Sequence, residues 1–140
     1  MVSLARENSP NETGGVLLGY ESADAAAVVI TDLVDAGPGA KRKPSEFLPD
    51  GYWQEQEIAR IYTESGRRST YLGDWHSHPA GVAAPSRKDD RTAQKISAHV
   101  DARARSPLMV IVAKHRDTWR IAAYRFDGKR LRHAKLKLHA

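Results

Sequence analysis

The pair His76 and His78, with a short apolar run before it and a proline directly after, constrains this chain more than any other feature. Tyr71-Leu72-Gly73-Asp74-Trp75 has the composition of a strand, and Pro79 stops it. Residues two apart on a strand point to the same face, so the two imidazoles stand side by side. Seven residues separate His78 from Ser86, and Asp89 follows three positions later. Ser86 comes straight after Pro85 and before a long stretch of helix formers, which places it at a helix start. A serine three residues ahead of an aspartate is also a capping pattern that needs no chemistry. Capping and ligation are compatible, and the histidines on the adjoining strand favour ligation by Asp89. Two imidazole nitrogens and one carboxylate oxygen form a usual protein ligand set for a catalytic zinc, which keeps a fourth position for water. The pattern predicts a zinc hydrolase with one ion per chain.

Such a site needs a base for the water proton. Zinc brings that water's pKa to roughly 7, and a well-placed carboxylate adds about 10²–10⁴-fold in rate. Glu12, in Asn11-Glu12-Thr13-Gly14-Gly15-Val16-Leu17-Leu18-Gly19, is the best candidate, because a glycine pair and a short buried strand follow it. Composition alone does not separate it from Glu7 or Glu21, and a glutamate ahead of a strand is commonly just solvated.

Taken together, Glu12, His76, His78, Ser86 and Asp89 reproduce a glutamate early in the chain, then His-x-His, seven residues, Ser, two residues, Asp. In this the chain resembles the JAMM (MPN-type) zinc metalloproteases over about Asn11 to Tyr124. Glu12-Thr13-Gly14-Gly15 and Gly73 to Pro79 are similar to the small bacterial branch found with ubiquitin-like conjugation operons and mobile elements. The resemblance implies that His76, His78 and Asp89 hold zinc, that Glu12 moves the proton from water to the leaving amine, and that Ser86 donates to the developing oxyanion. It implies cleavage after the C-terminal glycine of a ubiquitin-like protein, or of a nucleotidyltransferase conjugated during antiphage signalling. The alternative is a processing protease that trims the tail of a ubiquitin-like sulphur-carrier protein. A third reading, a binding module without turnover, conflicts with the complete five-residue pattern. The implied fold is α/β, a mixed sheet flanked by helices and similar to the cytidine deaminases. Zero cysteines separate the chain from zinc deaminases, which need a Pro-Cys-x-x-Cys segment, and from disulfide-stapled proteins.

The 140 residues suit a single domain spanning 1–140. No apolar run is long enough to span a membrane and no secretory signal opens the chain, so a cytoplasmic location is expected. Strands are expected at Val16 to Tyr20 and Ala26 to Val34, joined by a turn at Ser22 to Asp24. Helices are expected at Tyr52 to Gly66 and Ser86 to Arg105. The ligand strand is Tyr71 to His78, and Pro107 to Lys114, Trp119 to Phe126 and Arg130 to Leu138 complete the sheet, with a tight turn at Asp127-Gly128. Family members carry a strand and a full helix ahead of the glutamate, whereas only Val2 to Glu7 is available here. One face or edge of the sheet is therefore expected to lack cover, which a dimer or a bound partner would supply.

Gly37 to Asp50, rich in proline and basic residues, reads as a solvated crossover loop. The resemblance gives it a second reading, contact with the extended tail of the substrate, with Phe47 or Trp53 shaping the groove. The net charge of +5 is uneven: from Asp101 onward eleven Lys and Arg face three Asp. No nucleic-acid motif accompanies this basic end, so nucleic acid is not an expected partner and an acidic protein is favoured. His99, His115, His133 and His139 lack ligand spacing and are expected at the surface.

Overall fold

The computed structural model describes residues 1–24 and 26–137. Its elements are α1 (Val2–Asn8), β1 (Gly14–Glu21), β2 (Val28–Asp35), β3 (Lys41–Lys43), β4 (Glu46–Leu48), α2 (Gly51–Glu64), β5 (Thr70–His78), α3 (Arg87–Ala98), β6 (Leu108–His115), β7 (Thr118–Phe126) and β8 (Leu131–Ala134). Six strands form one mixed sheet in the order β2-β1-β5-β6-β7-β8, and β3 and β4 form a separate hairpin. β5 and β6 run parallel, while the other neighbours are antiparallel. That parallel pair requires a crossover, and α3 supplies it. The expected α/β architecture, a mixed sheet with helices on it, is what forms.

Strand alternation gives the sheet two unlike faces. Leu17, Trp75, Val110, Val112 and Ala123 point to one face and pack with Ala5 of α1. Met1, Val2 and Leu4 border that cluster, so a seven-residue helix is the helical cover on this side. Val16, Leu18 and Val34 point to the other face and meet Trp53, Ile58 and Ile61 of α2. Met109, Ile111 and Phe126 lie further along that same face, packed against Ala93 of α3. Asp74 pairs with Val16 on one side and Met109 on the other, and His76 pairs with Ile111. The histidines of β5 therefore rise from the face that carries α2 and α3.

Several boundaries differ from expectation, each for a local reason. α3 ends at Ala98, seven residues before Arg105, because His99 adopts an extended ψ of 105°. One turn of 3-10 helix follows at Val100–Ala102, and Arg103 at φ 52° turns the chain away. Gly37 to Asp50 is not an unstructured crossover: it folds into the β3–β4 hairpin, with Arg42 opposite Phe47. β2 starts at Val28 rather than Ala26, and β8 covers Leu131–Ala134 only. Leu138 and His139 lie outside the described residues. Among the described residues, no helix is long and apolar enough to cross a membrane.

Candidate metal centre

β1 and β5 place Glu12 and the two histidines together although they are far apart in the chain. Gly14 lies opposite His76 in the antiparallel pair. A Cβ on Gly14 would sit 2.3 Å from the Trp75 carbonyl oxygen and 2.5 Å from Cζ of Phe47, so only glycine lets these layers close. The zipper continues one residue beyond the strand. The Thr13 N–H donates to Ser77 Oγ at 2.9 Å, and the Ser77 N–H donates to the Thr13 carbonyl at 2.8 Å. Thr13 and Ser77 are both fully buried, which makes this clamp dry and rigid. On its other side, the Glu12 N–H donates to the Lys43 carbonyl of the hairpin at 2.8 Å. Arg42 adds a hydrogen bond from Nε to Thr13 Oγ1 at 2.9 Å. Glu12 is thus held by sheet and hairpin together.

The donor atoms of Glu12, His76 and His78 all lie within 4.8 Å of one another. The two Nε2 atoms are 2.8 Å apart, a distance at which facing lone pairs must share a proton or a cation. His78 Nδ1 lies 2.8 Å from the Val82 carbonyl oxygen. A carbonyl can only accept, so Nδ1 carries the proton and Nε2 presents its lone pair to the centre. Asp89 arrives from α3, with Oδ1 3.4 Å from His76 Nε2 and Oδ2 4.0 Å from His78 Nε2. Glu12, His76 and His78 as one donor cluster, with Asp89 beside His76 and one tautomer fixed from behind, fit a divalent ion of the zinc type.

Ser86 is the N-cap of α3. Its Oγ accepts the Asp89 N–H at 3.1 Å, and the Ser86 N–H donates to Asp89 Oδ2 at 2.7 Å, a complete capping box. The cap fixes the Asp89 carboxylate with one oxygen toward Ser86 and the other toward His76. Because Oγ acts as acceptor here, its own hydrogen is free for another acceptor. Phe47 and Ser86 line the same cavity as the donor cluster, a cleft of about 470 Å³. Trp53 does not line it; its ring packs beneath α2 against Val16, Leu18 and Val34 and against Gly37.

Electrostatics differ for each carboxylate. Burial raises the Glu12 carboxyl above its ordinary value, while His76 and His78 pull it back. For Asp89, burial also acts upward, but the hydrogen bond and charge of His76 and the bonds with Ser86 prevail and hold it at about 2. Asp74 is the residue that the sequence reading passed over. It lines the cleft, and burial lifts its carboxyl to about 6 against the opposing pull of the Tyr71 hydroxyl and His76. Its signal was present: it precedes His76 by two, the same spacing that joins His76 to His78. A second cavity of about 890 Å³ opens at the far end of the strands between Tyr20, Thr70 and Arg103, without a comparable donor cluster among the described residues.

Residues 1–124 match the family model described as prokaryotic homologs of the JAB domain. The chain belongs to the prokaryotic JAB family. Among curated relatives, a probable metalloprotease, y4qB, of Sinorhizobium fredii is 43% identical over 109 residues, covering 77% of this chain and 66% of the relative. A CD-NTase/cGAS isopeptidase of Enterobacter hormaechei is 29% identical over 116 residues, covering 80% of this chain and 61% of the relative. The matched region thus spans less than two thirds of each of these relatives. The JAB fold is also that of the protein DSY2949 from Desulfitobacterium hafniense, known in solution, with a TM-score of 0.73 at 20% identity over 99% of this chain and 86% of that one.

Proposed function

We propose that this JAB-family chain is a zinc-dependent peptidase of the isopeptidase type. Its substrate would be the bond after the C-terminal glycine of a ubiquitin-like protein, or of a nucleotidyltransferase joined to a target. The observation that carries this reading is the convergence of Glu12, His76 and His78 donor atoms within 4.8 Å, with Asp89 3.4 Å from His76. The names of the curated relatives support it, one a probable metalloprotease and the other a CD-NTase/cGAS isopeptidase.

His76, His78 and Asp89 are the residues that would hold zinc. When bound, zinc supplies Lewis-acid polarisation of the scissile carbonyl and lowers the pKa of water to roughly 7. Glu12 takes the proton from the attacking water and delivers it to the leaving amine, so that one carboxylate serves as base and then as acid. The Thr13–Ser77 clamp keeps Glu12 from swinging away between those steps. Ser86 turns its free hydroxyl hydrogen to the oxygen that gains negative charge as the carbonyl becomes tetrahedral. The rigid cap ensures that this donor is already in place before reaction.

The test has two parts. Elemental analysis of purified protein should give about one zinc per chain, lost in His76→Ala and in Asp89→Ala. Protein with and without chelator is then mixed with a ubiquitin-like protein joined to a reporter through an isopeptide bond, and separately with a linear fusion. Chelator-sensitive cleavage of the isopeptide supports deconjugation. Cleavage of the linear fusion alone supports the processing reading, and metal-free wild type at neutral pH ends both.

A further inference from the structure

The inner half of the catalytic cleft is an acceptor-lined pocket that the chemistry above does not use. Asp74 stands on its floor, two residues before His76 on the same face of β5 and so roughly 6.6 Å from it along the strand. Val16 and Met109 flank Asp74 on the neighbouring strands, and Gln54 of α2 and Thr92 of α3 also line the cleft.

Among the described residues the Tyr71 hydroxyl is the donor that reaches Asp74, at 3.0 Å from Oδ1. The other oxygen, Oδ2, has no protein donor. It is nevertheless reachable, since Trp75 Nε1 is the one fully sealed side-chain atom without a partner among the described residues. A half-buried carboxylate with one oxygen free of protein donors is placed to receive a donor from a bound ligand. Gln54 points the same way. Its amide nitrogen is engaged with the Asp35 carbonyl at 3.0 Å, which leaves its amide oxygen as a further acceptor. Along the cleft, Glu12, Asp74 and Asp89 stand with Lys88, while Glu46 is paired with Lys43 at 3.7 Å.

We infer that Asp74 forms a specificity pocket for a basic side chain, lysine or arginine, carried within the two residues that precede the substrate's C-terminal glycine. The aliphatic stem of such a side chain runs between Val16 and Met109, and its charged end meets the open oxygen of Asp74. Asp74 touches substrate but moves no proton, so its contribution is selective binding in the transition state. This inference rests on the peptidase reading.

The experiment uses the zinc-loaded protein and linear and isopeptide-linked fusions of a bacterial ubiquitin-like protein. The two residues before the C-terminal glycine are varied in turn among Lys, Arg, Gln, Ala and Glu. Wild type should show kcat/KM for Lys or Arg about 10–100-fold above Ala at one of those positions, the scale of one charge-assisted hydrogen bond. In Asp74→Asn that ratio should collapse toward one, and Asp74→Glu should restore part of it. Zinc content and melting temperature of each variant show that the site and fold remain. Cleavage by wild type with no basic preference, or an undiminished preference in Asp74→Asn, overturns the inference and leaves the peptidase reading standing. Absence of any cleavage by zinc-loaded wild type overturns both.

Discussion

At the scale of single residues, the proposed mechanism separates holding an ion from moving a proton. Glu12→Gln removes the base but leaves His76, His78 and Asp89 in place. The variant should keep its zinc and lose about 10²–10⁴-fold in kcat, read by elemental analysis and the fusion assay on one preparation. Unchanged kcat would assign the proton transfer to another group. Ser86→Ala acts through two properties at once. As the loss of a transition-state donor it should lower kcat by roughly 10²–10³-fold with little change in KM. As the loss of an N-cap it should cost about 0.5–2 kcal/mol of stability, measured by urea unfolding. A stability loss without a kcat loss would leave Ser86 as a cap alone. The five motif residues were legible in the sequence because their spacing is short or their type distinctive. The two-residue spacing puts Asp74 on the face of His76, but its role in the cleft depends on Val16 and Met109, its neighbours on the adjoining strands, which the sequence does not pair. Trp53 packs from α2 against Val16, Leu18 and Val34, a placement that the sequence alone does not distinguish from the wall of a groove.

At the scale of elements, pairing of β1 with β5 matters more than either strand alone. Ser77 is fully buried and its Oγ answers the Thr13 N–H. Ser77→Ala orphans that donor, which should cost about 1–3 kcal/mol. It also loosens Glu12, so kcat should fall while zinc content stays at one. Stability and kcat both unchanged would show that the clamp does not position the base. β5 was readable because an alternating run ends at a proline. The β3–β4 hairpin was not, because three-residue strands are too short to show a period. Its placement depends on a contact made outside itself, the Glu12 N–H on the Lys43 carbonyl. Residues 99–105 still favour helix by composition, whereas the chain leaves the helix at His99 with an extended ψ of 105° and turns at Arg103.

At the scale of the whole molecule, the half-buried Asp74 imposes a pH dependence. Its carboxyl titrates at about 6 in the folded protein against an ordinary 3.8. The folded state therefore holds this proton where the unfolded chain has released it. Its contribution is most favourable below pH about 4 and is lost as pH rises through about 6, a change of up to about 3 kcal/mol. Urea unfolding of chelator-treated protein at pH 4.5 and 7 should show a smaller gap in Asp74→Asn than in wild type. Equal gaps would mean that the carboxylate is solvated or compensated. The mixed fold class was legible from the alternation of strand-like and helix-like segments. Strand order was not, because the place of β1 between β2 and β5 is decided by the close approach of Gly14 and Gly15 to their neighbours.

The wide separation between Thr13 and its clamp partner, 64 positions along the chain, has a consequence for biogenesis. The two imidazoles and the α3 carboxylate are neighbours in sequence and can gather around a cation as soon as one crossover has formed. The proton carrier joins them only when the amino-terminal strand docks. On the proposed mechanism, a chain whose amino-terminal strand has not yet docked would hold the ion without its base, so cleavage would wait for the complete sheet.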